Sequence, residues 1–111
     1  MVCMPIGNDF VVTLSGGDLE HIGAVAVSRV DVSDIYVDET GNTITNVIVI
    51  PKHKEGCIAI SIASLLMASL NTVVCVICGI HLEDILKTEL EDIAEMSEEM
   101  AKSLITQITI H

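Results

Sequence analysis

Residues 56–80, GCIAISIASLLMASLNTVVCVICGI, contain no charged side chain and decide the fold of this chain. The stretch divides at Asn71-Thr72. The half before it is rich in Ala, Ser and Leu and favours a helix, and the half after it is rich in Val, Cys and Ile and favours a strand. The stretch is long enough to span a bilayer, but this change of propensity favours a buried helix over residues 54–70 and a buried strand over residues 72–80.

Upstream of this stretch the sequence predicts four short strands, over residues 8–15, 22–30, 35–37 and 44–50. Gly16 and Gly17 permit a turn after the first strand because glycine adopts positive φ without strain. An acidic tip at residues 38–43 joins the third and fourth strands as a hairpin. Pro51 ends the fourth strand because proline donates no hydrogen bond to a ladder.

Downstream, residues 82–104 form an amphipathic pattern of helical period, and residues 106–110 alternate polar and apolar as a short strand would. The helix at 54–70 is apolar nearly all round, with a stripe of small residues at Ser61, Ser64 and Ala68, so we expect it to be covered on more than one side. The sequence therefore predicts one α+β domain over residues 1–111, with a mostly antiparallel sheet, the element order ββββαβα, and helices packed on the sheet.

Charge and composition exclude several classes of function. The chain has 111 residues, a formal net charge of −11, and only Phe10 and Tyr36 as aromatic side chains. A nucleic-acid interface needs clustered cations and often stacking rings, and this chain has the single arginine Arg29. Disorder is excluded because half of the residues are apolar.

The four cysteines are interpreted as reduced thiols of a cytoplasmic protein, because so apolar a chain needs no disulfides. No positively charged stretch precedes an apolar run near Met1, so we expect no secretory signal. Cys75 and Cys78 have the spacing of a redox or zinc pair, but positions three apart in a strand point to opposite faces. No arrangement of Ser, His, Asp or Cys in the sequence indicates catalysis.

The chain has one locally basic segment. Residues 82–102 carry eight of the sixteen acidic side chains, which is typical of a solvated helix face. Lys52, His53 and Lys54 precede Glu55 and Gly56 where the fourth strand ends and the first helix begins. A helix N-terminus presents free N–H groups and a partial positive charge, so this place suits a phosphate or carboxylate, although a pair of exposed lysines at a turn explains it equally well.

Three histidines lie at predicted element boundaries: His21 before the second strand, His53 after the fourth and His81 after the fifth. A crossover through the helix brings His53 and His81 to one edge of the sheet. We place His21 at the opposite edge if strands two to four form a simple meander, so that a three-histidine metal site requires another strand order or a partner chain. Imidazole suits zinc, manganese, iron or copper, and isolated histidines at strand ends are more often ordinary loop residues.

Three ordered segments resemble the prenylated-flavin chaperone family, the small D subunits of gallate-type hydroxyarylic acid decarboxylases. They are Gly16-Gly17-Asp18-Leu19-Glu20-His21-Ile22-Gly23, then His53-Lys54-Glu55, then Cys78-Gly79-Ile80-His81-Leu82-Glu83-Asp84-Ile85. With the spacing between them, the similarity spans about nine-tenths of the chain. The resemblance implies a homodimeric α+β fold similar to that of the proteasome-assembly chaperones.

The resemblance also implies a non-catalytic function: holding reduced prenylated flavin mononucleotide (FMN), shielding it from oxygen and delivering it to a prenylated-flavin-dependent decarboxylase. On this interpretation Lys54 and the backbone of Glu55 and Gly56 hold the flavin phosphate. The other residues of the expected cofactor site are Gly16, Gly17, Asp18, His21 and His53, and those of an expected divalent metal site are His21, His53 and His81.

Two alternatives remain open at this point. One is a protein-assembly chaperone that binds protein through its sheet edges and small-residue helix and takes no cofactor. The other is a small metal-dependent enzyme, which would hold a metal ion with an open coordination position. The scarcity of aromatic side chains argues against flavin, because isoalloxazine rings commonly stack on them, and here an aliphatic wall must serve.

Overall fold

The computed structural model of the chain describes residues 1–17, 21–31, 42–51, 55–81 and 86–110. The α+β class and the order ββββαβα are confirmed. The described elements are β1 (Val2–Ile6), β2 (Asp9–Gly17), β3 (Ala24–Asp31), β4 (Asn42–Val49), α1 (Gly56–Leu70), β5 (Val74–His81) and α2 (Lys87–Ile110).

The first strand, β1, was not predicted. It pairs with β2 in antiparallel register across a two-residue turn, with Ile6 opposite Asp9. Gly7 in this turn has φ 59°, a conformation that glycine adopts without strain. The predicted strand at residues 35–37 and residues 38–41 of its hairpin tip lie outside the described residues, whereas Asn42 and Thr43 of that tip belong to β4. In the observed order, β1 takes the place of the strand predicted at 35–37.

The predicted strand at residues 106–110 is wrong, because α2 continues as a helix to Ile110. The alternating pattern there is compatible with a helix whose threonine hydroxyls bond to the preceding turn. Thr106 Oγ1 donates to the carbonyl oxygen of Lys102 at 3.2 Å, and Thr109 Oγ1 donates to that of Ile105 at 2.8 Å. Leu104 and Ile105 pack against the core, which holds this end of the helix on the domain.

The sheet has the order β1-β2-β5-β3-β4, so β5 is inserted between β2 and β3. Strand three of the simple meander considered for strands two to four lies outside the described residues. The β2–β5 pair is parallel and the other three pairs are antiparallel, which confirms a mostly antiparallel sheet. Since β2, β4 and β5 run in one direction and β3 runs in the other, β3 begins at the edge where those three strands end. His21 thus lies at the same edge as His81 and not at the opposite one.

Helix α1 lies between the sheet and α2. It packs on β3, β4 and β5, and α2 packs on α1, so the expectation of a helix covered on more than one side is confirmed. The core consists of small and aliphatic side chains from β2, β3, β5 and both helices: Val12, Leu14, Ala24, Ala26, Ile58, Ala59, Ile62, Ala63, Leu66, Met67, Val74, Val76, Cys78 and Ala101. Among the described residues, no helix has the length and apolar character needed to cross a membrane.

Asn71 and Thr72 mark the boundary between α1 and β5, as the sequence predicts. Asn71 ends the helix in the left-handed conformation, with φ 52°, and its N–H donates to the carbonyl oxygen of Met67 at 2.7 Å. Thr72 Oγ1 then donates to Asp9 Oδ1 at 2.6 Å, and the N–H of Val73 donates to the same oxygen at 3.1 Å. These bonds fix the start of β5 beside β2, which sets the register that brings their far ends together.

Candidate functional site

Five chain segments meet at the carboxyl edge of the sheet, defined here as the edge where β2, β4 and β5 end and β3 begins. Gly17 of β2 is in register with His81 of β5. The N–H of Gly23 donates to the carbonyl oxygen of Cys78 at 2.9 Å, which joins the start of β3 to β5. The N–H of Ile50 donates to the carbonyl oxygen of Gly23 at 2.8 Å, and α1 begins six residues after Ile50.

The structure places most of the expected site residues that it describes at this edge. Gly16 and Gly17 end β2, His21 precedes β3, Glu55 and Gly56 begin α1, and the backbone of His81 ends β5. Asp18, His53 and Lys54 lie outside the described residues. In sequence each of them is within two residues of Gly17 or Glu55, so the chain enters and leaves those segments at the carboxyl edge.

Gly79 holds the His21 segment against β5. A side chain at position 79 would collide with the backbone carbonyl oxygen of His21, so only glycine permits this approach. The imidazole of His21 is exposed, and its Nδ1 lies 3.4 Å from the carbonyl oxygen of Ile22. This contact fixes the backbone of His21 beside Gly79, two residues before β5 ends at His81.

The start of α1 has the features of an anion site. Glu55 is its N-cap residue, with φ −79° and ψ −5°, and its side chain makes no capping hydrogen bond to the first turn. The N–H groups of the first turn of a helix have no partner within the helix and carry partial positive charge. Gly56 lies close to β4, since a side chain there would come within 2.8 Å of Cγ2 of Val49. This contact fixes the helix start beside the end of β4.

A buried thiol and a buried carboxylate lie beneath the same edge, and no pattern in the sequence indicated that they would meet. Cys78 is fully buried and Glu55 is 5% exposed. The pKa of the Cys78 thiol is raised to about 12, first by burial and second by the negative charge of Glu55, while a backbone hydrogen bond at Ile80 acts in the opposite direction. Cys78 is therefore a neutral thiol at physiological pH and not a nucleophile.

The prediction that Cys75 and Cys78 point to opposite faces of the strand is confirmed. Cys78 faces the core, whereas Cys75 lies on the opposite face of the sheet and is half-buried. All four cysteines are free thiols.

Gly16 leaves open space beside the end of β2. A side chain at this position would meet none of the described atoms within 4 Å, in contrast to Gly56 and Gly79, whose neighbours exclude one. Packing therefore does not require glycine at position 16, and the free space lies beside the backbone at the carboxyl edge. A ligand has room to approach the main chain there.

A half-open apolar cavity of about 280 Å³ lies between the first turns of α1 and the N-terminal half of α2. Ser61 Oγ donates to Glu98 Oε1 at 3.2 Å between the two helices. The cavity is lined by Cys57, Ile58, Ser61, Ile62, Leu90, Glu91, Ala94 and Glu98. Its walls are aliphatic with carboxylates at the rim, and the first of its residues directly follows Gly56.

No cluster of three or more His, Cys, Asp or Glu with the geometry of a metal site occurs among the described residues. Of the three histidines of the expected metal site, only His21 has a described side chain. The metal site therefore stays a prediction.

The matched sequence family agrees with this arrangement of residues. The family model of the prenylated flavin chaperone LpdD-like domain matches residues 1–109. The chain belongs to the prenylated flavin chaperone family. The resemblance carried by the three ordered motifs is thus confirmed, and the family supports a chaperone role. The match to the prenylated flavin chaperones includes every segment that reaches the carboxyl edge. A search of curated proteins found no match to this chain.

Proposed function

We propose that this protein is a non-catalytic carrier that binds prenylated FMN at the carboxyl edge and delivers it to a prenylated-flavin-dependent decarboxylase. The observation that carries the proposal is the meeting of five segments at one edge, with the start of α1 and the open space at Gly16 among them. The proposal includes action in the cytoplasm, which the free state of all four cysteines supports.

The phosphate of the flavin is the group that the described residues fit best. Backbone N–H groups at the start of α1 supply hydrogen bonds to an anion, and Lys54, one residue before Glu55, supplies a compensating charge. In a chain of net charge −11, residues 52–54 are the one cluster of basic side chains. Gly16 leaves the main chain of β2 open to the ligand, and Gly17 and Asp18 follow it in sequence.

The flavin ring would bind against aliphatic side chains, because the chain has two aromatic residues only. The cavity between α1 and α2 offers such a wall next to the first turn of α1. A ring held among aliphatic groups loses contact with water, and this exclusion supports the shielding of a reduced flavin. The residues present thus fit both ends of the cofactor without a stacking partner.

A divalent metal ion is a further part of the proposal. His21, His53 and His81 either contact the phosphate directly or hold a metal ion that does so. The position of His21 at the edge where β5 ends in His81 supports this grouping. The metal part fails if His53→Ala and His81→Ala leave the metal content of the purified protein unchanged.

Anaerobic titration with reduced FMN tests the proposal, followed by absorbance and by the melting temperature. We expect saturable binding of FMN and much weaker binding of riboflavin, which lacks the phosphate. Lys54→Glu should weaken FMN binding by about 10-fold to 100-fold, because a charge-assisted hydrogen bond contributes about 1.5–3 kcal/mol. Lys102→Glu, the same change of charge on α2, is the matched control and should bind as the parent does.

The competing function is that of a protein-assembly chaperone without a cofactor. That function is favoured if neither FMN nor prenylated FMN shifts the absorbance or the melting temperature at concentrations well above micromolar. Equal affinity for FMN and riboflavin would instead show that the protein binds the flavin ring but does not bind its phosphate. The delivery step is tested by transfer of prenylated FMN from this protein to the apo form of a decarboxylase, measured as recovered decarboxylation.

A further inference from the structure

The cavity between α1 and α2 has an aliphatic floor and two acids at its rim. Ile58 and Ile62 are buried on the side of α1, and Leu90 and Ala94 are half-buried on the side of α2. Since Ala94 carries only a methyl group, it leaves space that a longer side chain would occupy. The cavity therefore offers apolar contact to a chain of methylene groups.

The two acids stand at a fixed spacing along the cavity. Glu91 and Glu98 line it from α2, and both are exposed. They are seven residues apart in this helix, which is nearly two turns and about 10.5 Å along the axis. They therefore lie on one side of α2 with Ala94 between them. The pattern along the cavity is acid, apolar, acid.

A hydrogen bond between the helices holds one of these acids at the cavity. Ser61 Oγ, on the α1 side of the rim, donates to Glu98 Oε1 at 3.2 Å. A carboxylate accepts several hydrogen bonds, so this contact positions Glu98 and leaves it able to accept from a ligand as well. The carboxylate thus stays over the gap between α1 and α2.

The basic residues of α2 lie outside the rim. Lys87 is four residues before Glu91, and Lys102 is four residues after Glu98. Neither lysine lines the cavity, and both charged side chains among its described lining residues are acidic. A cation in the cavity is therefore attracted at both of its ends, whereas an anion is repelled.

We propose that the cavity between α1 and α2 binds a linear aliphatic diammonium ion. The ion lies along the cavity with one ammonium group at Glu91 and the other at Glu98. Its methylene chain packs on Ile58, Ile62 and Leu90. A chain of about six methylene groups places its two ammonium groups at a separation comparable to the axial spacing of the two acids.

The size and shape of the cavity agree with such a ligand. Its volume of about 280 Å³ lies just below the range of about 300–1,000 Å³ of pockets for drug-sized molecules, so it suits a single unbranched chain. Because the cavity is half-open, ammonium groups at its rim keep part of their hydration while the chain between them is covered.

Diammonium binding goes beyond the proposed function and does not depend on it. The flavin ring is proposed to lie against the same aliphatic wall, so flavin is left out of the test. The flavin titration and the diamine titration are then separate experiments on the same protein, and either can fail while the other succeeds.

Equilibrium dialysis of the full chain with hexamethylenediamine, at neutral pH and about 0.1 M salt, tests the proposal. We expect saturable binding of one ion per chain. The amine n-hexylamine has the same chain and one charge, and it should bind about 5-fold more weakly because one ion pair is lost. Trimethylenediamine has both charges and half the chain, and it should bind about 10-fold more weakly because it buries fewer methylene groups. Equal affinity for the three amines would overturn the proposal.

A pair of double variants separates the cavity from the general charge of α2. Glu91→Gln with Glu98→Gln should weaken hexamethylenediamine binding about 20-fold, because both ion pairs are lost. The matched control is Asp92→Asn with Glu99→Gln, which removes the same charge at the same spacing from residues that do not line the cavity. It should weaken binding no more than about 2-fold, since salt screens charges beyond about 10 Å. Equal weakening in the two double variants would contradict the site.

Two further measurements locate the bound ion. Ala94→Leu fills the cavity with a side chain that favours a helix, so it should abolish saturable binding and keep the parent melting temperature. Bound hexamethylenediamine should also slow the reaction of Cys57, an exposed residue of the cavity wall, with a neutral methanethiosulfonate reagent at least about 3-fold. Cys75, on the opposite face of the sheet, should react at an unchanged rate. Saturable binding by Ala94→Leu, or an unchanged rate for Cys57 at saturation, would place the ion elsewhere and overturn the proposal.

Discussion

At the scale of single residues, Gly79 and Gly16 show two different reasons for a glycine at the carboxyl edge. The carbonyl oxygen of His21 occupies the space that a side chain of residue 79 would need. No atom of the described residues occupies the corresponding space at residue 16. Folding therefore accounts for the first glycine, and our proposal assigns ligand access to the second.

Substitution of each glycine by alanine separates these reasons. Gly79→Ala should lower the free energy of unfolding by about 1–3 kcal/mol, because the backbone of His21 must move to relieve the collision. Gly16→Ala should change it by no more than about 0.5–1 kcal/mol, in the stabilising direction. Urea denaturation measures both, and FMN titration should show weaker binding by Gly16→Ala. Equal stability of the two variants would contradict the packing argument.

Cys78 links stability to pH through its buried thiol. Its pKa lies at about 12 in the folded protein because of burial and the Glu55 carboxylate, against an ordinary value of 9.0. Above pH 9 the unfolded chain loses the thiol proton while the folded chain keeps it. The stabilisation is therefore complete below pH 9 and is lost as the pH rises toward 12.

Comparison with Cys78→Ala isolates this contribution. Between about pH 9 and about pH 11 the free energy of unfolding of the parent should fall by up to about 1.4 kcal/mol per pH unit relative to the variant. Cys57→Ala removes an exposed thiol and should keep the slope of the parent. Urea denaturation over this pH range provides the measurement, and parallel curves for the parent and Cys78→Ala would exclude the effect.

At the scale of elements, a chain of hydroxyl groups connects β3, β4 and α1. Ser28 Oγ lies 2.6 Å from Thr45 Oγ1, which lies 3.1 Å from Ser64 Oγ. Ser28 is fully buried, so its hydroxyl depends on this partner. Ser64, part of the small-residue stripe of α1, thus faces β4 and fixes how the helix sits on the sheet.

Thr45→Val tests this connection between elements. The change removes the middle hydroxyl at nearly constant volume and should lower the free energy of unfolding by about 1–3 kcal/mol, the cost of an unsatisfied buried polar group. The control is Thr43→Val, the same substitution at an exposed position of β4, which should be nearly neutral. Adding Ser28→Ala to Thr45→Val should recover part of the loss, and a further loss of the same size would contradict the account.

At the scale of the whole molecule, the carboxyl edge and the sheet face opposite to α1 are different parts of the fold. The carboxyl edge collects the glycines, His21 and the start of α1, whereas two uncharged rows of side chains lie on the sheet face opposite to α1. Helix α2, which carries six acidic residues, packs on α1.

Some of these features were determined by the sequence alone. Local propensity determines α1 and β5, because an Ala, Ser and Leu segment and a Val, Cys and Ile segment meet at Asn71. Ordered motifs around His21, Lys54 and His81 determine the family, which the match over residues 1–109 confirms. The predicted strand at 106–110 is wrong because alternation over five residues fits both the two-residue period of a strand and the 3.6-residue period of a helix. Contacts of α2 with the core decide in favour of the helix.

Tertiary structure alone decided the strand order and which residues distant in sequence lie close together. Insertion of β5 between β2 and β3 depends on long-range pairing, which no local pattern encodes, and it brings His21 to the edge where β5 ends. The same pairing sets Glu55 near Cys78, although they are 23 residues apart in the chain. Alternation along a strand tells which residues share a face, but only the packing of α1 on one side shows which of the two faces is buried in the core.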